Sequence, residues 1–340
     1  MTRRYVVIGA GGVGAGLAAG FDAAGIPVVL VSRGRTFEAI RDRGLSFRQG
    51  GVSRTLDVEV VGSPDDVKLQ PDDVLVFATK SQDVHQTFAD WAWRPVEGGG
   101  VAAALPVLLT QNGLEAERAA LRFFSTVVGG VTLIAARHVV PGEVVILNAP
   151  KIGQLIVGAF PSAKLAPHAA ALAEEIAADL TEAEWLTQSV PEIGRWLAWK
   201  VIANATFAIA VLDGSEAELA ELRGHVVSEV HAVLTAAGYA FAEPERERTF
   251  DAAQAALVPD GEVGDHVPST VQSFVRGTGS EVDYLNGEVV LLARLHGLDA
   301  PYNEAIQRVL GRAAALGEAP GTHHVREVLD LATANEGQQR

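Results

Sequence analysis

Gly9-Ala10-Gly11-Gly12-Val13-Gly14 places a G-x-G-x-x-G pattern directly after an apolar run and at the start of a helical one. Glycines at these spacings serve close approach. Gly9 permits a tight turn, Gly11 lets the backbone touch a pyrophosphate, and Gly14 lets the helix pack on the strand. The helix start adds unpaired N–H groups and the positive end of its dipole, which suit phosphates. The alternative is a glycine-rich turn with no ligand, and the strand before and helix after favour a dinucleotide over it.

The end of the next strand pattern chooses the nucleotide. A site for NAD carries an Asp or Glu there, on the ribose 2′-hydroxyl. This chain has Ser32-Arg33-Gly34-Arg35. Arg grips phosphate bidentately, so a 2′-phosphate and hence NADP(H) is favoured. Otherwise Arg33 and Arg35 are solvated surface residues. Two more strand ends, Ala78-Thr79-Lys80-Ser81 and Thr110-Gln111-Asn112-Gly113, lie where open α/β sheets bind ligands. Taken singly, Lys80 reads equally as a solvent-facing lysine and Asn112-Gly113 as a turn pair.

A third group lies further along. Residues 195–212 are apolar nearly all round, as in a buried helix. Lys200 and Asn204 stand four apart within it and share a face. A buried lysine is rare, and burial lowers its pKa toward the range useful for proton donation. The alternative packs the stem and leaves the ammonium in water. Later, Pro268-Ser269-Thr270-Val271-Gln272-Ser273 precedes Gly279-Ser280-Glu281-Val282-Asp283. Ser280 with Asp283 resembles a capping box, and acids suit a first helical turn. That is a sufficient structural account of Glu281 and Asp283, and a catalytic role stays open beside it.

These residues need a scaffold. Short β-branched runs at 5–8, 28–31, 56–61, 74–77 and 107–109 alternate with helical patterns at 13–24, 36–43, 82–91 and 114–124. Such alternation predicts a parallel sheet covered on both faces. A strand-rich piece follows at 126–135, 143–147 and 154–157, then a helix at 163–180. Beyond about residue 185, helical patterns take over at 192–212, 215–237, 244–257, 281–295 and 303–316. Turn clusters at 259–261 and 264–268 separate them. The expected organisation is an α/β domain over 1–184, an all-α domain over 185–331, and a polar, frayed tail over 332–340.

Composition bounds the partners. The 340 residues allow about two domains, and 27 Lys+Arg against 42 Asp+Glu give a net charge of −15. That balance argues against nucleic acid or an anionic membrane. Zero cysteines exclude a disulfide scaffold, a zinc–thiolate site and a cysteine nucleophile, which fits a cytoplasmic protein. Arg3-Arg4 before the apolar stretch 5–21 imitates a secretion signal, but its many glycines disfavour a signal helix and point to a folded domain. The pair His323-His324 lacks the spacing of a metal site, so none is expected. Trp196 and Trp199 read as packing, and the acids at 216–221 as a solvated helix face.

The combination resembles the ketopantoate reductase (2-dehydropantoate 2-reductase) family across essentially the whole chain. The matching residues are the glycine motif, Arg33, Lys80, Gln111-Asn112-Gly113, Trp199-Lys200 with Asn204, and Ser269 through Gln272 to Glu281-Val282-Asp283-Tyr284-Leu285-Asn286-Gly287. The resemblance implies a Rossmann-type, doubly wound domain joined to a helical one, with an active site in the cleft. It implies NADPH-dependent reduction of a 2-keto acid to a 2-hydroxy acid in pantothenate biosynthesis. Lys200 would protonate or polarise the carbonyl oxygen with help from Glu281, which would also meet the cofactor. Asn204 would orient the substrate, Ser269 its carboxylate end, and Lys80 and Asn112 would lie by the cofactor, Asn112 also by the substrate.

Two positions depart from the family pattern. Ala208 stands where a second asparagine is common, and Ser273 where an acid is common. Both make a more apolar 2-oxo acid, a ketone or an imine an alternative substrate. A non-catalytic NADP(H)-binding sensor is the alternative outside catalysis. Oligomeric state stays open, a homodimer included.

Overall fold

The structure is a computed structural model that describes residues 3–138, 140–258, 267–277 and 279–338, without side chains for 335–338. The strands are β1 (Arg4–Ile8), β2 (Val28–Val31), β3 (Leu45–Gln49), β4 (Val52–Leu56), β5 (Glu59–Val61), β6 (Asp73–Phe77), β7 (Pro106–Leu109), β8 (Thr126–Leu133), β9 (Ala136–Arg137), β10 (Glu143–Ile146), β11 (Asn148–Pro150), β12 (Gln154–Ala159), β13 (Leu186–Ser189) and β14 (Ala255–Leu257). The helices are α1 (Gly12–Ala23), α2 (Gly34–Arg43), α3 (Val84–Ala92), α4 (Glu115–Ala120), α5 (Pro167–Glu182), α6 (Ile193–Phe207), α7 (Glu216–Ala236), α8 (Pro244–Glu247), α9 (Ser269–Arg276), α10 (Val282–Leu295), α11 (Pro301–Leu316) and α12 (Val325–Gln338).

The chain forms two compact units that interleave in sequence. One holds Met1–Gln111, Ala116–Ile193 and Pro244–His266; the other holds Asn112–Glu115, Gly194–Glu243 and Val267–Arg340. The first is α/β. Its main sheet runs β13-β12-β8-β7-β6-β1-β2-β5, parallel throughout except between β12 and β8. Side chains alternate across a strand, so β1 supplies both faces. Tyr5 and Val7 join Leu17 and Phe21 of α1 and Ile176 of α5, while Val6 and Ile8 join Phe88 and Trp91 of α3. Each fully buried side chain of this size contributes about 1.5–3 kcal/mol of transfer free energy. The second unit is helical, with α10 packed on α7 and α11, and α12 on α11.

Several elements differ from expectation. The run 56–61 is not one strand: β4 ends at Leu56 and β5 begins at Glu59. The hairpin β3–β4 turns through Gly50 and Gly51, both at positive φ, and joins a second sheet β4-β3-β10-β9. Its outer strand is mostly exposed, which erases the apolar signal that marks a buried strand. Strands also continue past residue 185, because β13 adds to the main sheet beside β12.

The helix expected over 244–257 shrinks to α8, a turn at Ala252–Gln254 and β14, which pairs antiparallel with β11. Buried amides hold this backbone in place. Gln188 donates from Nε2 to Glu247 O (3.0 Å) and accepts the Thr249 N–H (2.7 Å), while Asn148 Nδ2 donates to Ala255 O (2.8 Å). Tertiary partners override the helix propensity of an alanine-rich run. Helices α9 and α12 lay outside the sequence patterns. The latter carries regular structure through Gln338, into the stretch expected as a frayed tail. The turn cluster at 259–261, positions 264–266 of the next one, and the last two tail positions lie outside the described residues. Among the described residues no helix is long and apolar enough to cross a membrane.

Candidate functional site

The first unit presents its glycine turn between β1 and α1. Gly9 has φ of +112°, and a Cβ there would lie 2.9 Å from the carbonyl of Ala78, beyond the end of β6. A Cβ on Gly14 would lie 1.8 Å from Gly9 O, so the helix reaches the strand only because position 14 has no side chain. Gly11 N-caps α1, no side chain caps that end, and a Cβ on Gly11 would meet nothing within 4 Å. The cradle is tight toward the protein and open in front of the helix N-terminus, as a pyrophosphate requires. The motif neighbours Ala10, Gly12 and Val13 complete the turn and the first turn of α1.

Arg33 N-caps α2 just past β2, and it and Arg35 are exposed. No carboxylate occupies positions 32–35, so the residues fit a phosphorylated ribose. Lys80 is half-buried and precedes the short turn Ser81–Asp83. Beside it lie groups to which the sequence patterns give a place at a strand end but no individual role. Gln111 donates from Nε2 to Phe77 O (3.0 Å) and Thr79 O (3.2 Å), which ties the ends of β6 and β7 together. Its Oε1, Thr79 Oγ1 and Gln82 Oε1 are buried and lack partners among the described residues. Unpaired buried acceptors at a strand-end crevice are the signal that would have found them.

In the second unit α6 carries Lys200 and Asn204 one turn apart. Lys200 is buried, and its Nζ donates to Asn112 Oδ1 at 2.8 Å. Asn112 reaches it because Gly113 adopts φ of +100° and packs against the first turn of α10, where a Cβ would lie 2.9 Å from Tyr284 O. Burial pushes the Lys200 ammonium down to about 8, and the Glu281 charge opposes that shift. Glu281 is buried and is itself the N-cap of α10. The expected capping box is absent: Ser280 Oγ accepts the Val282 N–H (3.1 Å), and Asp283 Oδ1 accepts from Gln307 Nε2 (2.8 Å). The structural account therefore covers Asp283 and leaves Glu281 beside the lysine.

Asn204 is wholly buried, and neither its oxygen nor its nitrogen has a partner among the described residues. Leaving such groups unpaired costs about 1–3 kcal/mol each, a cost a bound polar ligand removes. Ser269 opens α9, whose neighbour is the turn Ala208–Val211 that continues α6. Ser273 Oγ donates back to Ser269 O at 3.1 Å. Trp196 is core, its ring 6.1 Å from that of Trp199. His323 bonds Glu318 (2.7 Å) and Glu327 (2.8 Å), which accounts for it within the helical unit.

Comparison with known proteins follows from these two arrangements. Residues 5–162 match the ketopantoate reductase PanE/ApbA domain, and residues 181–314 match its C-terminal domain. The chain belongs to the ketopantoate reductase family. Among its relatives, the 2-dehydropantoate 2-reductase of Pyrococcus abyssi is 26% identical over 88% of this chain and 94% of its own. That of Archaeoglobus fulgidus is 26% identical over 89% and 95%. The crystal structure of a PanE/ApbA family ketopantoate reductase from Ralstonia eutropha superposes with a TM-score of 0.71 at 22% identity, covering 93% of this chain and 99% of that one. The Rossmann-like sheet and helical unit of this chain thus share the fold of the Ralstonia eutropha structure.

Proposed function

We propose that this chain reduces a 2-keto acid to the 2-hydroxy acid with NADPH, ketopantoate being the substrate to which family membership points. The observation that carries the reading is Lys200: buried, tuned to about 8, held by Asn112, and followed one turn later by an amide with no partner among the described residues. NADPH, when bound, supplies the hydride. Negative charge then builds on the keto oxygen, and Lys200 Nζ gives that oxygen its proton. Asn112 directs the ammonium, and the Glu281 charge keeps it protonated near neutrality. Asn204 offers both a donor and an acceptor to the substrate, with Ser269 for its carboxylate end. Gly9, Gly11 and Gly14 hold the pyrophosphate, and Arg33 and Lys80 add cationic contacts.

A more apolar 2-keto acid is a second reading. Ala208 is buried, and the Ser273 hydroxyl is turned onto its own helix, so both departures remove a polar group. A panel of 2-keto acids, followed by loss of NADPH absorbance, tests both readings. Preference for ketopantoate supports the first, and preference for an acid with a larger apolar substituent supports the second. Tight NADPH binding with no turnover of any acid would leave a sensor.

A further inference from the structure

We infer that Asn286 is a positioning residue for this reduction, acting through the turn of α6 that carries Asn204. Its Nδ2 donates to Ala205 O at 2.9 Å and to Asn303 Oδ1 at 3.0 Å, and both asparagines are wholly buried. Asn303 is fixed in turn, because its Nδ2 donates to Glu229 Oε2 at 2.7 Å and its backbone N–H to the same oxygen at 2.9 Å. Glu229 Oε1 takes the Tyr302 N–H at 2.9 Å. The carboxylate thus caps the start of α11 and sets the sense of the whole chain of bonds. Glu229 only accepts when ionised, so Nδ2 of Asn303 faces it, and Oδ1 of Asn303 faces Asn286. Nδ2 of Asn286 is then committed as a donor, and its second hydrogen meets Ala205.

The place where this chain ends is telling. Helix α6 stops at Phe207, and the backbone tightens into the turn Ala208–Val211. Carbonyls in a last helical turn lose their regular partners, and Asn286 bonds one of them. Ala205 follows Asn204 directly. Among the described residues the Asn204 amide has no hydrogen-bond partner, so its direction follows from its backbone and packing. Fixing the carbonyl at Ala205 therefore fixes where Asn204 points. The inference rests on the reading above, in which Asn204 holds the substrate.

A double-mutant cycle tests it on the full-length protein. Asn286→Ala is expected to lower kcat/KM about ten-fold alone but less than about two-fold in an Asn204→Ala background, with the NADPH Kd unchanged. Additive losses would mean a merely structural role and overturn the inference. Should Asn286→Ala not fold, Glu229→Gln removes the charge that orders the chain and must show the same non-additivity with Asn204→Ala. If the wild-type protein turns over no 2-keto acid, the proposed function fails on its own, and hydrogen exchange decides this inference. Protection at 205–209 must then fall in the variant while that at 196–200 holds, and uniform change or none overturns it.

Discussion

Lys200 Nζ and Asn112 Oδ1 are 2.8 Å apart across 88 positions of sequence. The amide can only accept from an ammonium here, so it holds the lysine head without competing for its proton. Lys200→Ala removes the proposed donor. We expect kcat for reduction to fall about 10²–10⁴-fold, the span typical of a lost general acid, with the NADPH Kd from cofactor fluorescence nearly unchanged. An unchanged kcat would remove Lys200 from the chemistry.

On the proposed reading, the same lysine sets the pH dependence. With its ammonium at about 8, the donor is protonated below that pH and lost above it. Reduction should therefore slow as pH rises through about 8, while the reverse oxidation, which needs the free amine, should speed up. Glu281→Gln takes away the charge that raises Lys200, so the alkaline limb should move to lower pH. A limb that stays in place would separate Glu281 from the lysine.

On the proposed reading, Arg33 carries the cofactor choice. Arg33→Ala should weaken NADPH far more than NADH, by about ten-fold or more for a charged phosphate contact of about 1.5–3 kcal/mol. Paired Kd measurements with the two cofactors check it. An unaltered ratio would place the 2′-phosphate elsewhere.

Gly113→Ala probes how Asn112 is presented. The φ of +100° and the 2.9 Å approach to Tyr284 O leave no room for a methyl group. The strain should cost about 1–3 kcal/mol, seen as a lower Tm, and kcat should fall with it as Asn112 withdraws from Lys200. A variant with wild-type Tm and kcat would show that the backbone relaxes freely there.

Local spacing makes part of this site legible in the sequence. The glycine turn is a run of neighbours, and Lys200 with Asn204 is one helical turn, so pattern alone brings them together. Asn112 on Lys200 was not readable as a bond, since nothing local records which strand end meets which helix. The stretch 244–257 departs from its helical pattern for the opposite reason. Its helix propensity is real, but side chains far upstream, Gln188 and Asn148, claim its backbone. At α10 the pattern of Ser280 and Asp283 was local and still wrong, because Glu281 itself takes the cap position. The buried amides at Asn286 and Asn303 carry no periodic signal, and only the fold shows that they meet.

Asn112–Glu115 belongs with the helical unit although the chain on both sides of it belongs with the sheet. The helical half is therefore not a portable module. A fragment beginning at Gly194 would lack Asn112, an acceptor of its own lysine, and a chimera that exchanges residues 1–193 would exchange that acceptor as well. Recombination among relatives has to keep Asn112-Gly113 and α6 from the same parent, as if the two were adjacent in sequence.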